Sequence, residues 1–205
     1  MSPSSITQEI AATAARLVVE EGMEYGPAKR RAAKALVGQG SRSPELPSNE
    51  LLEEQVRDYL ALFCADTQPA ELLALREVAL TWMDRLARFR PHLTGAVWRG
   101  TATRLNAVHL QLFCDDSKAA EIELLNQQIR YDVGSVDGPR GEPVDVLRVA
   151  WRSEWLGELV TVFLSVLDHD DLRGALKPDA QGFTQRGDAS ALRRLITAEK
   201  NEGQT

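Results

Sequence analysis

Val108-His-Leu-Gln-Leu-Phe113 is where this chain changes period. Val108, Leu110 and Leu112 alternate with His109, Gln111 and Phe113, the two-residue spacing of a strand with two unlike faces, and a strand is predicted over 106–113. The first ninety residues read as largely helical. Ile6, Ile10, Ala14, Leu17 and Val18 recur at helical intervals and predict an amphipathic helix ending near Gly22. Gly26-Pro27 restarts a short basic helix, Ala28 to Leu36, and the Gly, Ser and Pro content of 38–47 describes a linker. Ser48 or Asn49 suits an N-cap for a helix whose broad face carries Leu51, Leu52, Val56, Tyr59, Leu60 and Phe63. Asp66 or Thr67 opens a further helix through Leu72, Leu75, Val78, Trp82 and Phe89, with Arg85, Arg88 and Arg90 in its last turns and Pro91 as its stop.

Downstream of the strand, Asp115-Asp-Ser looks like a helix start, Ala119, Ile122, Leu124 and Leu125 its apolar positions, and Ile129–Val133 a following strand, which makes a βαβ unit. Residues 134–141 are loop by composition, Val144–Trp151 and Glu158–Leu167 form a two-stranded meander, and Ala189–Ala198 is a closing helix. The predicted class is α+β. A helical N-terminal region, 1–90, packs on a small mixed sheet within 91–205, the two making one compact unit.

Composition narrows the function. The 205 residues are 43% hydrophobic and 26% charged, the profile of an ordinary globular chain. A net charge of −6 argues against nucleic acid as a general ligand, because such binding needs a concentrated positive field. No apolar run reaches the length of a bilayer span, and Met1-Ser-Pro-Ser-Ser lacks the basic and apolar parts of a signal peptide, so no membrane association and a cytoplasmic location are expected. Cys64 and Cys114 stand in no zinc or disulfide pattern and are read as reduced, partly buried thiols. His92, His109 and His169 share no ligand spacing, and no Gly-x-Ser-x-Gly or His-Glu-x-x-His motif occurs.

The segment 93–113 carries the chemistry. Gly95-Ala96, then Arg99-Gly-Thr-Ala102, then Asn106-Ala-Val-His-Leu110 follow one another in an order and spacing that resemble the signature of the nucleotidyltransferase superfamily, the fold of DNA polymerase beta and of the small MNT-type enzymes. In that family a Gly-Ser turn and an Arg-Gly-x-Ala stretch precede a strand bearing two carboxylates two residues apart. The resemblance implies a mixed sheet of nucleotidyltransferase type and a cleft lined by Gly95, Arg99, Gly100, Thr101 and His109: the glycines allow close backbone approach, and Arg99 and Thr101 contact phosphate. The family's carboxylates sit two apart so that both face one way and hold a pair of magnesium ions against the triphosphate. Here those positions are Ala107 and His109; alanine has no ligand atom, and imidazole suits hard magnesium poorly.

The expected function is therefore a degenerate nucleotidyltransferase-like protein, catalytically weak or inactive, that binds a nucleotide or phosphate-bearing ligand in a regulatory role. Two alternatives stand beside it. One is an active enzyme with magnesium held by relocated ligands, Asp115, Asp116 and Asp145. The other is an interaction module without a small-molecule site, whose helices and exposed tryptophans bind a protein partner or form a homodimer.

Further clusters admit plainer readings. Lys29, Arg30, Arg31 and Lys34 are a solvated basic face or an acidic partner's contact, and Arg85, Arg88, Arg90, Arg99 and Arg104 an anion-binding rim or helix-end compensation. Trp82, Trp98, Trp151 and Trp155 are scattered, as core or interface anchors are. The whole chain also resembles a group of proteobacterial proteins, some labelled muramate–alanine ligases. The Gly-Lys-Ser/Thr loop that would hold ATP for such a ligase does not occur in these 205 residues.

Overall fold

The computed structural model describes residues 4–36, 44–116, 118–138, 141–172 and 184–202. Most of the predicted linker and the polar stretch before the last helix lie outside them. The chain divides into two compact units, one of residues 1–69 with 101–105 and one of residues 70–100 with 106–205.

The first unit is helical. Helix α1 (Ser5–Glu21) starts where the Ser4 side chain accepts the Thr7 N–H and ends at Gly22, whose φ of 65° is the left-handed cap that glycine adopts without strain. Its stripe of Ile10, Ala14, Leu17 and Val18 is buried. Two helices pack on it: α2 (Tyr25–Leu36), through Ala28, Ala32 and Ala33, and α3 (Asn49–Phe63), through Leu52, Val56 and Leu60. The alanines set the α1–α2 approach, since small side chains let two helix backbones come close. Ser48 caps α3 by accepting the Leu51 N–H at 3.1 Å. Phe63, expected on the buried face, is exposed and lies against Tyr59 with ring centroids 4.6 Å apart. Part of the basic cluster is tied down: Lys29 donates to the Pro47 carbonyl and to Asn49 Oδ1, and Arg31 pairs with Glu21.

The second unit holds the sheet. It contains α4 (Gln68–Arg85, from Ala70 on), a 3-10 turn at Ala87–Phe89, β1 (His92–Thr94), α5 (Gly95–Arg99), β2 (Val108–Phe113), α6 (Ala119–Asn126), β3 (Asp132–Asp137), β4 (Pro143–Arg152), β5 (Leu159–Leu167), a 3-10 turn at His169–Leu172, β6 (Arg186–Asp188) and α7 (Ala189–Glu202). The strands form one mixed sheet in the order β3-β4-β5-β2-β1-β6, with β2 and β5 parallel and every other pair antiparallel. With seven α-helices among the described residues, the class is α+β.

Strands β2 and β3 run the same way in one sheet with α6 between them, as the expected βαβ unit requires, but the order does not make them neighbours. Strands β2 and β3 do not pair, because β5 and β4 stand between them. The physical reason lies in composition: Leu159-Val-Thr-Val-Phe-Leu-Ser-Val-Leu167 buries every second residue and takes the central place, whereas Asp132-Val-Gly-Ser-Val-Asp137 is exposed throughout and suits an edge. That edge strand also occupies part of the segment expected as loop, since 134–137 continue the ladder opposite Val146 to Pro143. The expected meander of β4 and β5 is present, in register from Val146↔Ser165 to Arg152↔Leu159. The helix expected through Phe89 gives up its α-form at Arg85, and Arg90, with φ 48°, turns the chain into β1.

Register sorts the sheet into two faces. Leu93, Leu110, Leu164 and Leu147 are successive partners across β1, β2, β5 and β4, and all four are fully buried. The α-helices of this unit gather on that leucine face. Trp82 of α4 meets Trp151 of β4 edge to face at 5.4 Å. Trp98 of α5 lies so close over Gly187 of β6 that a Cβ there would stand 2.1 Å from its ring. Buried Arg76 of α4 donates to the Val97 and Trp98 carbonyls at the end of α5 and pairs with Glu199 of α7.

Candidate functional site

The opposite face is polar. One residue along from the leucine row, Thr94, His109, Phe163 and Arg148 are successive partners on β1, β2, β5 and β4; beside them run His92, Gln111 and Ser165. Thr94, His109, Gln111, Phe163 and Ser165 are half-buried. The same alternation that buries Leu110 and Leu112 thus delivers His109 and Gln111 to this side.

His109 stacks on Phe163, with ring centroids 5.0 Å apart and planes 23° from parallel. Gly95 stands against it across the β1–β2 ladder: at φ 73° the chain turns from β1 into α5, and a Cβ at this position would lie 3.7 Å from His109 Cδ2. Left-handed backbone there favours glycine whatever the space. Arg99 is the last residue of α5, and its Nε is buried.

Gln111 accepts a hydrogen bond of 2.6 Å from Arg186 Nη1. The Arg186 guanidinium lies over Phe113, 4.8 Å from the ring centroid, and His92 meets the same ring edge-on at 5.4 Å. His92 Nδ1 is 2.8 Å from the Arg90 carbonyl. Burial pushes the His92 imidazole below its ordinary value; the Arg90 carbonyl opposes that shift, and the Arg186 charge adds to it.

Of the five residues that sequence singles out for the cleft, Gly95 and His109 are brought together. Gly100 lies elsewhere, near Arg76 and Leu72 of α4, and its φ of 82° closes α5. Thr101 belongs to the 101–105 segment of the first unit, where its hydroxyl is buried without a hydrogen-bond partner.

The relocated metal ligands do not converge. Asp116 Oδ1 accepts the Lys118 N–H at 2.9 Å, the turn-forming role of an Asp before a helix. Asp115 is exposed, with Oδ1 3.9 Å from His169 Nε2. Asp145 alternates with Leu147 onto the leucine face and lies 3.5 Å from Lys118 Nζ. Among the described residues no three His, Cys, Asp or Glu side chains form a group able to hold a metal. A magnesium-centred mechanism built on these three aspartates therefore does not fit.

The anion-binding rim is also reassigned in part. Arg85 covers Trp151 at 4.8 Å and Trp82 at 5.5 Å, and Arg88 pairs with Glu123. Both cysteines are free thiols of intermediate burial; burial and then Asp116 and Asp115 push the Cys114 thiol up. No described helix is long and apolar enough to cross a membrane.

Two residues of the polar face escaped sequence reasoning. Phe163 is indistinguishable from core in a run of Val and Leu, and only its pairing with His109 gives it a role. Arg186 sits in a polar tail without periodicity, and β6 is three residues long, too short to leave a signal. Compared with protein-family models, with curated proteins and with solved structures, the chain matches none.

Proposed function

We propose that this chain is a degenerate nucleotidyltransferase-like protein, catalytically weak or inactive, which binds a nucleotide or another phosphate-bearing ligand on the polar face of its sheet in a regulatory role. The observation that carries the reading is the placement of His109, stacked on Phe163 and facing Gly95, where the family's signature would set a carboxylate. Gly95 lets a ligand approach the backbone at the turn into α5. Arg99, the last residue of α5, and Gln111 supply donors, and the His109–Phe163 pair supplies an aromatic surface. With Ala107 in place of an acid, the face offers recognition without the two-metal chemistry.

A thermal-shift titration against ATP, GTP, CTP and UTP, each with and without magnesium or manganese, tests this reading through the stabilisation that native-state binding confers. The expected result is a saturable, metal-independent rise in Tm that is lost in His109→Ala and reduced in Arg99→Ala. No rise at millimolar nucleotide overturns it.

A second reading rests on a separate observation. Trp155 and Leu159, 62% and 66% exposed, crown the turn between β4 and β5, an apolar spot of the kind that meets a protein partner or a second copy. A failed nucleotide titration would favour that interaction module.

A further inference from the structure

Two arginines of the second unit are buried, and they differ in what answers their charge. Arg76, 1% exposed, has the Glu199 carboxylate on Nη1 and the Val97 and Trp98 carbonyls on Nε and Nη2, so every side of its guanidinium is met. Arg186, 5% exposed, has only neutral groups in direct contact: Gln111 Oε1 at 2.6 Å on Nη1, the Asp171 backbone carbonyl at 2.9 Å on Nη2, and the Phe113 ring, while the Asp171 carboxylate acts on it without reaching contact. Its Nε is buried with no hydrogen-bond partner, and no described carboxylate reaches it within ion-pair distance. A buried cation without a contacting anion is costly, and an unsatisfied buried donor in a folded chain calls for a reason.

We infer that Arg186 is the anion receptor of the polar face, taking a phosphate or diphosphate group. The inference rests on the phosphate-ligand reading above and names the group that meets the ligand's charge. A guanidinium presents donors in a planar fork that matches two oxygens of one phosphate, a geometry a lysine cannot offer. Gln111 holds the place of the anion on Nη1: its amide oxygen accepts where a phosphate oxygen would, and rotation of the amide turns its NH2 toward the newcomer. His92, kept neutral by its burial beside this guanidinium, adds no second positive charge to the site. His109 precedes Gln111 by two residues on the same face, about 7 Å along the strand. A mononucleotide can bridge that span, with its base toward the His109–Phe163 rings and its phosphate toward Arg186.

The test follows the Arg186 Nε–Hε resonance of the 15N-labelled full chain during titrations with sodium pyrophosphate, ATP and adenosine, all without divalent metal. The expected result is a saturable shift with pyrophosphate and with ATP and none with adenosine. Arg186→Lys, which keeps the charge and loses the fork, should weaken ATP binding by at least about tenfold. The wild-type titration decides the question even if that variant fails to fold, since through-bond correlation to the Arg186 backbone assigns the resonance. If ATP moves His109 signals while Arg186 Nε–Hε stays fixed, the inference falls and the nucleotide reading stands. If neither phosphate compound moves any resonance, both fall.

Discussion

Gly187 and Trp98 show how much of this molecule turns on single atoms. The indole of Trp98 rests on Gly187 and donates from Nε1 to the Thr184 carbonyl at 2.7 Å, tying α5 to the segment that leads into β6. A methyl group at 187 would stand 2.1 Å from that ring, so the ring or the strand must move. Gly187→Ala should destabilise the protein by about 1–3 kcal/mol, the usual cost of overpacking, as read from the urea midpoint. A midpoint unchanged from wild type would contradict the close approach. His92 makes a second prediction. Its folded-state pKa lies below its unfolded value, so the unfolded chain binds the proton first as the pH falls. The stability that neutral His92 contributes is therefore present above the ordinary imidazole range and is lost on acidification through it. Urea unfolding between pH 8 and pH 5 should show that decline, and His92→Phe should flatten it. A slope identical in the variant would assign the dependence to other groups.

At the scale of elements, β3 is the exposed margin of the sheet. All six of its residues are solvent-facing, and Asp132 and Asp137 stand at its ends, with Asp132 paired to Arg148. Antiparallel pairing of two copies about Gly134 and Ser135 would set Asp132 of one against Asp137 of the other, a like-charge barrier that guards an edge against self-association. The double variant Asp132→Asn, Asp137→Asn should raise the proportion of dimer and larger species in size-exclusion chromatography. A profile identical to wild type would mean that the aspartates do not guard this edge.

The same strand shows where the sequence was readable and where it was not. Local alternation announced β2 and the meander, and Gly22 and Ser48 marked helix ends through caps whose chemistry is local. The place of β3 is a property of pairing: nothing within Asp132–Asp137 says that β4 and β5 will separate it from β2. Strands β1 and β6 have three residues each and cannot show a period. For the candidate site, Gly95 and His109 were legible because turn and strand adjoin in sequence, whereas Arg186 reaches Gln111 across 75 residues. Asp145 misled because a carboxylate on a strand has two faces to choose from, and the register places it with Leu147.

For the molecule as a whole, the organising fact of the second unit is a sheet with one leucine face under helices and one polar face bearing His109, Phe163, Gln111 and Arg186. A sheet with helices on one side commonly leaves its other face polar, but seldom buries a cation there. This one instead keeps a stacked imidazole and a buried guanidinium together, at an energetic cost that ligand binding would explain. The proposed function and the anion receptor both depend on that asymmetry. The most direct test is a metal-free calorimetric titration of ATP into the wild-type chain and into His109→Ala. Saturable binding is expected in the wild type, with a Kd at least about tenfold weaker in the variant, a loss of ~1.4 kcal/mol. No heat of binding at millimolar ATP, or the same Kd in both proteins, would contradict the proposed function.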